Sequence, residues 1–320
     1  MAIGILSLVR VSAERLAAFN AAGYTVLETA KYASRLEALQ AAGKASVGIR
    51  AVLTNGRGGI SAAEMDLLPK LELVCAAGAG YESVDLARAK SRGIAVANTP
   101  DMNAPAVADS AIMLLLASVR HLCEADRFVR AGGWQDQWRV ETPTVCSKRL
   151  GIFGLGKIGK RIAHRAAGGF DMQIGYHNRH AAAGSPYRYF DSLIELAKWA
   201  DFLIASAPGG PGTRHMINAE VLAALGPKGH LINVGRGTVV DTAALIAALE
   251  GKQIAGAGLD VIEGEPAIPP KLLQFENLVI TPHCGGRAPE SQTAATAAIL
   301  ANFNAFFSGK PLLTPVALGD

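Results

Sequence analysis

The stretch Leu150-Gly151-Ile152-Phe153-Gly154-Leu155-Gly156-Lys157-Ile158-Gly159 decides how the rest of the chain is read. A short apolar run, Leu150–Phe153, ends in a glycine-rich turn, and a helical pattern opens directly after it. In that context Gly154 permits the tight turn and Gly156 lets the backbone approach a pyrophosphate. Gly159 lets helix and strand pack closely. The helix N-terminus offers unpaired N–H groups and a partial positive charge to the phosphate. The turn from Gly154 through Leu155, Gly156, Lys157 and Ile158 to Gly159 therefore predicts a dinucleotide site. Without the strand before it and the helix after it, the same glycines would mark only a tight turn.

Toward the C-terminus the pattern repeats. Met172–Tyr176, Phe202–Ser206, His230–Val234, Gly256–Leu259 and Leu278–Ile280 read as further strands, and a last helix is expected over Pro289–Phe307. Toward the N-terminus a separate series stands out. Ile3–Val9, Tyr24–Leu27, Val47–Leu53, Leu71–Ala76 and Ile94–Ala97 read as strands. Ala13–Ala22, Ser34–Ala42, Ala62–Leu68 and Val84–Ser91 read as helices between them. Strict alternation with short loops predicts parallel sheets covered by helices on both faces. Asn98-Thr99-Pro100-Asp101 separates the two series. A long helix expected over Ala106–Arg130 follows, and then a loop with two tryptophans, Gly132-Gly133-Trp134-Gln135-Asp136-Gln137-Trp138. The fold class expected is α/β, with two doubly wound parallel-sheet domains joined by that helix.

Composition removes other classes. Of 320 residues, half are hydrophobic and 18% charged, which excludes disorder. The net charge of +4 is spread without a basic block, so it suits anionic small molecules and asks for no nucleic acid. Cys75, Cys123, Cys146 and Cys284 are far apart, which argues against a disulfide framework or a metal site. Met1–Arg10 lacks a basic leader, and the apolar run Ala111–Val119 is too short to span a bilayer. The expectation is a soluble, cytoplasmic protein with no membrane partner.

The strand after the glycine turn selects the dinucleotide. An Asp or Glu about 20 residues beyond the turn holds the ribose 2′-OH of NAD. Here that place falls within Tyr176-His177-Asn178-Arg179-His180, which holds no acid, and Asp171 stands at the wrong end of the strand. Asn178 and Arg179 therefore predict NADP, with the Arg179 guanidinium as a fixed, always-charged fork for the 2′-phosphate.

Three polar segments close consecutive strands: Asn233-Val234-Gly235-Arg236-Gly237, Gly258-Leu259-Asp260 through Glu263, Glu265 and Pro266, and Thr281-Pro282-His283-Cys284-Gly285-Gly286. Ligands of parallel α/β sheets bind at the carboxyl ends of strands, so an arginine, a carboxylate and a histidine are expected near the reacting end of the dinucleotide. Taken singly, each has a plain structural account: a loop cation, a turn residue before Pro266, a capping imidazole.

This ordered set resembles the D-isomer-specific 2-hydroxyacid dehydrogenase family. It joins the glycine turn, the three strand-end segments, Ala77-Gly78-Ala79-Gly80-Tyr81 and Asn98-Thr99-Pro100-Asp101, over essentially the whole chain. Within the family it is most similar to the NADPH-dependent glyoxylate/hydroxypyruvate and hydroxyphenylpyruvate reductases. Leu122-Cys123-Glu124-Ala125-Asp126-Arg127 and the tail Phe307–Pro315 carry that narrower likeness. The resemblance implies that Arg236 binds the substrate carboxylate and polarises the keto oxygen. It implies His283 as the acid in reduction, with Glu265 hydrogen-bonded to it to keep it charged. Asp260 would lie on the nicotinamide side, and the Gly78-Ala79-Gly80 backbone would offer N–H donors to the substrate. Ala207, Pro208, Thr213, Val234, Gly235 and Gly285 complete the implied cofactor set. The resemblance also implies a flavodoxin-like substrate domain made of residues 1–99 and 288–320, and a Rossmann domain over 100–287. A homodimer follows as well, in which Trp138 either reaches the partner's site or packs at the interface.

Some residues depart from the family pattern. After His283 the family reads an aliphatic residue and then Gly-Ser-Ala-Thr, where this chain has Cys284-Gly285-Gly286-Arg287-Ala288; Asp109 stands where Glu is commoner. The first change bears on substrate identity. The function expected is NADPH-dependent reduction of a small 2-keto acid to the D-2-hydroxy acid. An arylpyruvate reductase is the alternative, and a dinucleotide-sensing corepressor the distant one.

Overall fold

The computed structural model describes residues 3–46, 48–136 and 138–318. Val47 in the expected third strand, Gln137 in the tryptophan loop, and Met1 and Ala2 of the N-terminal reading lie outside the described residues. The chain divides into two compact units, one ending at Asn103 and resuming at Ala288, the other running Ala104–Arg287.

The first unit is built on β1 (Ile3–Ser7), β2 (Tyr24–Glu28), β3 (Ile49–Thr54), β4 (Leu73–Ala76) and β5 (Ala95–Asn98). Between them lie α1 (Ala13–Ala21), α2 (Arg35–Lys44), α3 (Ala62–Asp66) and α4 (Leu86–Ser91). Side-chain caps start the helices: Ser12, Ser34 and Asp85 each accept from a first-turn N–H, and Ser61 with Glu64 forms a reciprocal capping box. All strand pairs are parallel in the order β2-β1-β3-β4-β5, the flavodoxin-like arrangement. Every residue of β4 is buried, as a strand covered on both faces requires.

The second unit holds β6 (Arg149–Phe153), β7 (Gln173–His177), β8 (Arg188–Tyr189), β9 (Phe202–Ala205), β10 (His230–Asn233), β11 (Gly256–Leu259) and β12 (Leu278–Ile280). Its helices are α5 (Ala104–Val119), α6 (Leu122–Arg130), α7 (Lys157–Phe170), α8 (Leu193–Trp199), α9 (Ala219–Leu225) and α10 (Thr242–Glu250). The order β12-β11-β10-β9-β6-β7-β8 is parallel throughout. Strand order reverses between β6 and β9, which places the ligand crevice of such a sheet at the carboxyl ends of these two strands. Apolar side chains of α5 and α7 pack on one face, and those of α8, α9 and α10 on the other. Asp109 on α5 is paired with Arg165 on α7 at 2.8 Å.

α11 (Pro289–Phe307) belongs to the first unit and completes its core. Phe303 is fully buried with Tyr24 and Phe19 at ring distances of 5.6 and 6.0 Å. Arg15 of α1 donates to Thr296 and Gln292 at 2.9 Å each.

The two parallel-sheet domains agree with the expectation; the single long helix does not. The expected Ala106–Arg130 helix breaks at His121, which is left-handed (φ 52°), and α5 and α6 diverge by 62°. The His121 ring is then held by Glu124 at 3.0 Å. No Gly or Pro lies within Leu114–Arg130 to announce the break. Among the described residues, no single helix is long and apolar enough to cross a membrane.

His230, at the start of β10, is 2% exposed, and its Nδ1 lies 2.9 Å from the Ser118 hydroxyl of α5. Burial, aided by His121, pushes its pKa down to about 4. The unfolded imidazole takes a proton below about 6.5. Between these values the unfolded state binds more protons, so stability is lost as pH falls, by about 3 kcal/mol once pH reaches the folded value. His230→Gln is expected to flatten this part of the stability–pH curve, measured by urea denaturation at pH 7 and pH 5. An unchanged slope in the variant would assign the acid sensitivity to other groups.

Candidate active site

The glycine turn sits at the carboxyl end of β6, at the reversal of strand order. Gly154 has φ 99°, and a Cβ there would lie 2.6 Å from the Ala207 backbone nitrogen, so only glycine lets the β6 and β9 loops meet. At Gly159 a Cβ would meet the Gly154 carbonyl oxygen at 2.2 Å. Gly156 starts α7 without any side-chain cap, and the space where its Cβ would stand is open. This is a cradle that side chains would fill, with helix N–H groups directed into it. It fits a pyrophosphate.

The turn is braced from the neighbouring strand ends. The Asn178 side-chain oxygen accepts from Leu155 N–H at 2.7 Å. Ser206 Oγ donates to the Gly154 carbonyl at 2.8 Å, and Thr213 Oγ1 donates to the Pro208 carbonyl at 2.7 Å. Arg179 is exposed at the end of β7, with its guanidinium beside Gly212. Asp171 caps α7 at the opposite end of that strand. Lys157 and Ile158 open α7, and Ala207, Val234 and Gly235 line the ends of β9 and β10.

Arg236, Glu265 and His283 stand in the loops after β10, β11 and β12, which are adjacent strands. The structure brings two of them into contact: His283 Nδ1 is 2.5 Å from Glu265 Oε1. Arg236 donates from Nη1 to the Gly235 carbonyl at 2.8 Å, and its stem fills the space where Gly209 would carry a side chain. Asn233 fixes this loop by donating to the Arg236 carbonyl (3.0 Å) and accepting from Gly235 N–H (3.1 Å).

Asp260 is 4% exposed, and its contacts go to the histidine loop. Thr281 Oγ1 donates to it at 2.6 Å, and the N–H groups of Cys284 and Gly285 donate at 2.9 Å each. The expectation placed it toward the nicotinamide; what the structure shows is a carboxylate gripping residues 281–285. A side chain on Gly285 would collide with it at 2.7 Å. Gly286 and Arg287 follow, with Arg287 N–H bonded to the Cys284 carbonyl at 2.9 Å. Trp138 packs edge-on against Phe128 within its own unit at 5.4 Å.

The Gly78-Ala79-Gly80 loop lies at the carboxyl end of β4 in the first unit. Gly78 N–H, expected as a donor to the substrate, donates here to the Thr99 hydroxyl at 2.7 Å. The Ala79 carbonyl accepts from Asn98 at 2.8 Å. The sequence reading gave Glu263 no partner and did not single out His215. His215 and Glu263 are paired at 2.9 Å across 48 positions, and only the folded chain brings them together.

Comparison with known proteins identifies the family. Residues 112–285 match the D-isomer specific 2-hydroxyacid dehydrogenase, NAD binding domain. The hydroxyphenylpyruvate reductase of Plectranthus scutellarioides is 46% identical over 84% of this chain and 85% of its own. Glyoxylate/hydroxypyruvate reductase A of Arabidopsis thaliana is 43% identical over the same shares. Among solved structures, an NADPH-dependent glyoxylate/hydroxypyruvate reductase from Sinorhizobium meliloti, in complex with NADP and malonate, superposes with a TM-score of 0.86. It is 36% identical and covers 99% of this chain and 98% of its own. The chain belongs to the D-isomer specific 2-hydroxyacid dehydrogenase family, as its motifs suggested. It is an oxidoreductase of small 2-keto or 2-hydroxy acids that works with a nicotinamide dinucleotide.

Asp260→Asn tests the brace on the histidine loop. An amide nitrogen would face an N–H donor, and a hydrogen bond to a charged group is worth about 1.5–3 kcal/mol. Faster amide exchange over residues 281–286 is expected, with little change at β6. Unaltered exchange would show that the loop holds itself.

Proposed function

We propose that this chain reduces a small 2-keto acid of the glyoxylate or hydroxypyruvate type to its D-2-hydroxy acid with NADPH. The observation that carries the reading is the His283–Glu265 contact, with Arg236 on the neighbouring strand end. The dinucleotide, held at Gly154–Gly159, supplies hydride to the carbonyl carbon when bound. Arg236 anchors the substrate carboxylate and draws charge from the keto oxygen. His283 hands its Nε2 proton to that oxygen. Glu265 accepts from Nδ1, which orients the ring and leaves Nε2 to carry the transferred proton. Ala79 and Gly80 remain candidate N–H donors to the substrate.

Preference for NADPH rests on Arg179 and on the lack of a carboxylate in residues 177–180. The NADP complex of the Sinorhizobium relative supports it. An arylpyruvate substrate is a second reading, favoured by the likeness to the Plectranthus enzyme. The reading includes a homodimer, supported by the exposed apolar side chains of Leu122, Val129 and Trp134 around α6.

Absorbance at 340 nm with glyoxylate, hydroxypyruvate and 4-hydroxyphenylpyruvate, each with NADPH and NADH, tests the reading. NADPH with a small keto acid is expected to give the highest kcat/KM. Arg179→Ala should lower kcat/KM for NADPH by about tenfold to a hundredfold and spare NADH. Equal losses with both cofactors would remove Arg179 from 2′-phosphate recognition.

His283→Ala should cost ~10²–10⁴ in kcat while NADPH still binds. Arg236→Ala should raise KM for the keto acid and lower kcat together. Near-normal turnover in the His283 variant would rule out its role as the proton donor.

A further inference from the structure

Two carboxylates on one short loop each hold a histidine. Glu265 takes Nδ1 of His283. Glu263 takes Nε2 of His215 with both oxygens at 2.9 Å, and the Arg214 guanidinium at 2.9 Å. Gly264 between them is left-handed (φ 82°), which turns the chain so that the two carboxylates serve different neighbours. Both histidines are themselves left-handed at φ 51°, a backbone region a side-chain-bearing residue keeps only when its surroundings hold it there.

The His215 side of this arrangement has no place in the proton transfer described above, yet it touches both the loop that carries Arg236 and the loop that carries Glu265. His215 N–H donates to the Thr238 carbonyl at 2.8 Å, two residues past Arg236. At Gly237 a Cβ would stand 2.1 Å from the Ile262 carbonyl carbon and 2.3 Å from the Glu263 nitrogen, so the arginine loop runs directly against the Glu263 backbone. The loop that carries Glu265 is thus gripped at Asp260 by residues 281–285 and at Glu263 by Arg214 and His215. Glu265 lies two residues past the second grip.

We propose that Glu263, through His215 and Arg214, is a positioning residue that holds Glu265 against His283. The proposal rests on the functional reading above. Exposed ion pairs contribute little to stability, and both partners of Glu263 reach solvent, Arg214 with 56% and His215 with 33% of its side chain exposed. Its effect on turnover should exceed its effect on stability.

The test is a double-mutant cycle in the full-length chain. Glu263→Gln, Glu265→Gln, the double variant and His215→Gln are compared for kcat and KM with the best keto acid, NADPH affinity by fluorescence, and melting temperature. Glu263→Gln and His215→Gln should each lower kcat roughly tenfold, with NADPH affinity held within about twofold. The double variant should be no slower than Glu265→Gln alone, because Glu263 acts through Glu265. Losses that multiply in the double variant would overturn the proposal. So would an unchanged kcat in both Glu263→Gln and His215→Gln, whatever happens to the melting temperature. If either variant fails to fold, the other carries the same test. An active wild type with either overturning result sinks this proposal alone. A wild type inactive on every 2-keto acid sinks the functional reading and this with it.

Discussion

The parallel pairing of β6 with β9, from Leu150 opposite Phe202 to Phe153 opposite Ala205, is the constraint on which the second unit depends. Strands that follow one another in sequence cannot lie here side by side, because β7 and β8 have gone to the other edge. The chain leaves these two strand ends in opposite directions, while the backbone stays at contact distance between Gly154 and Ala207. Continuous apolar strands, the buried faces of α5 and α7, and glycine at the turn all serve that one close approach. The positions of Arg236, Glu265 and His283 then follow from strand order, since β10, β11 and β12 stack outward from β9 and deliver one loop each.

Within these loops the most deeply buried polar group is satisfied by its neighbours. Asp260 is nearly fully buried, and its two oxygens are taken by a hydroxyl and two backbone N–H groups. A buried carboxylate without such donors would be costly. Its charge is instead used to hold a segment that has no regular secondary structure. Rigid strands set the coarse position of His283 and Glu265, and side-chain hydrogen bonds set the fine one.

Much of this was legible in the residues. Strands buried on both faces read as largely apolar runs, so β3, β4, β6, β9 and β10 declare themselves, and the glycine turn locates the phosphate cradle. Arg236, Glu265 and His283 stood out because each lies in a polar, glycine-containing segment that follows an apolar run. What stayed hidden depended on contacts distant in sequence or on very short elements. β8 has only two residues, Arg188 and Tyr189, and no run to recognise. The bend at His121 carries no Gly or Pro, and its left-handed backbone is held by Glu124. Gly78 looked like a free donor until Thr99 was seen beside it. The Glu263–His215 pair has no local pattern at all.

The return of α11 to the first unit gives synthesis and folding opposite orders. The β1–β5 sheet leaves the ribosome first, but its core lacks Ile299 and Phe303 until the last helix is made. Ala97 bridges to Pro315 and Asn98 accepts from Thr314, so the edge strand too waits for the C-terminal segment. The second unit, continuous from Ala104 to Arg287, holds all of its residues earlier. The nascent chain thus carries a complete dinucleotide-binding unit while its opening hundred residues still have an uncovered apolar face.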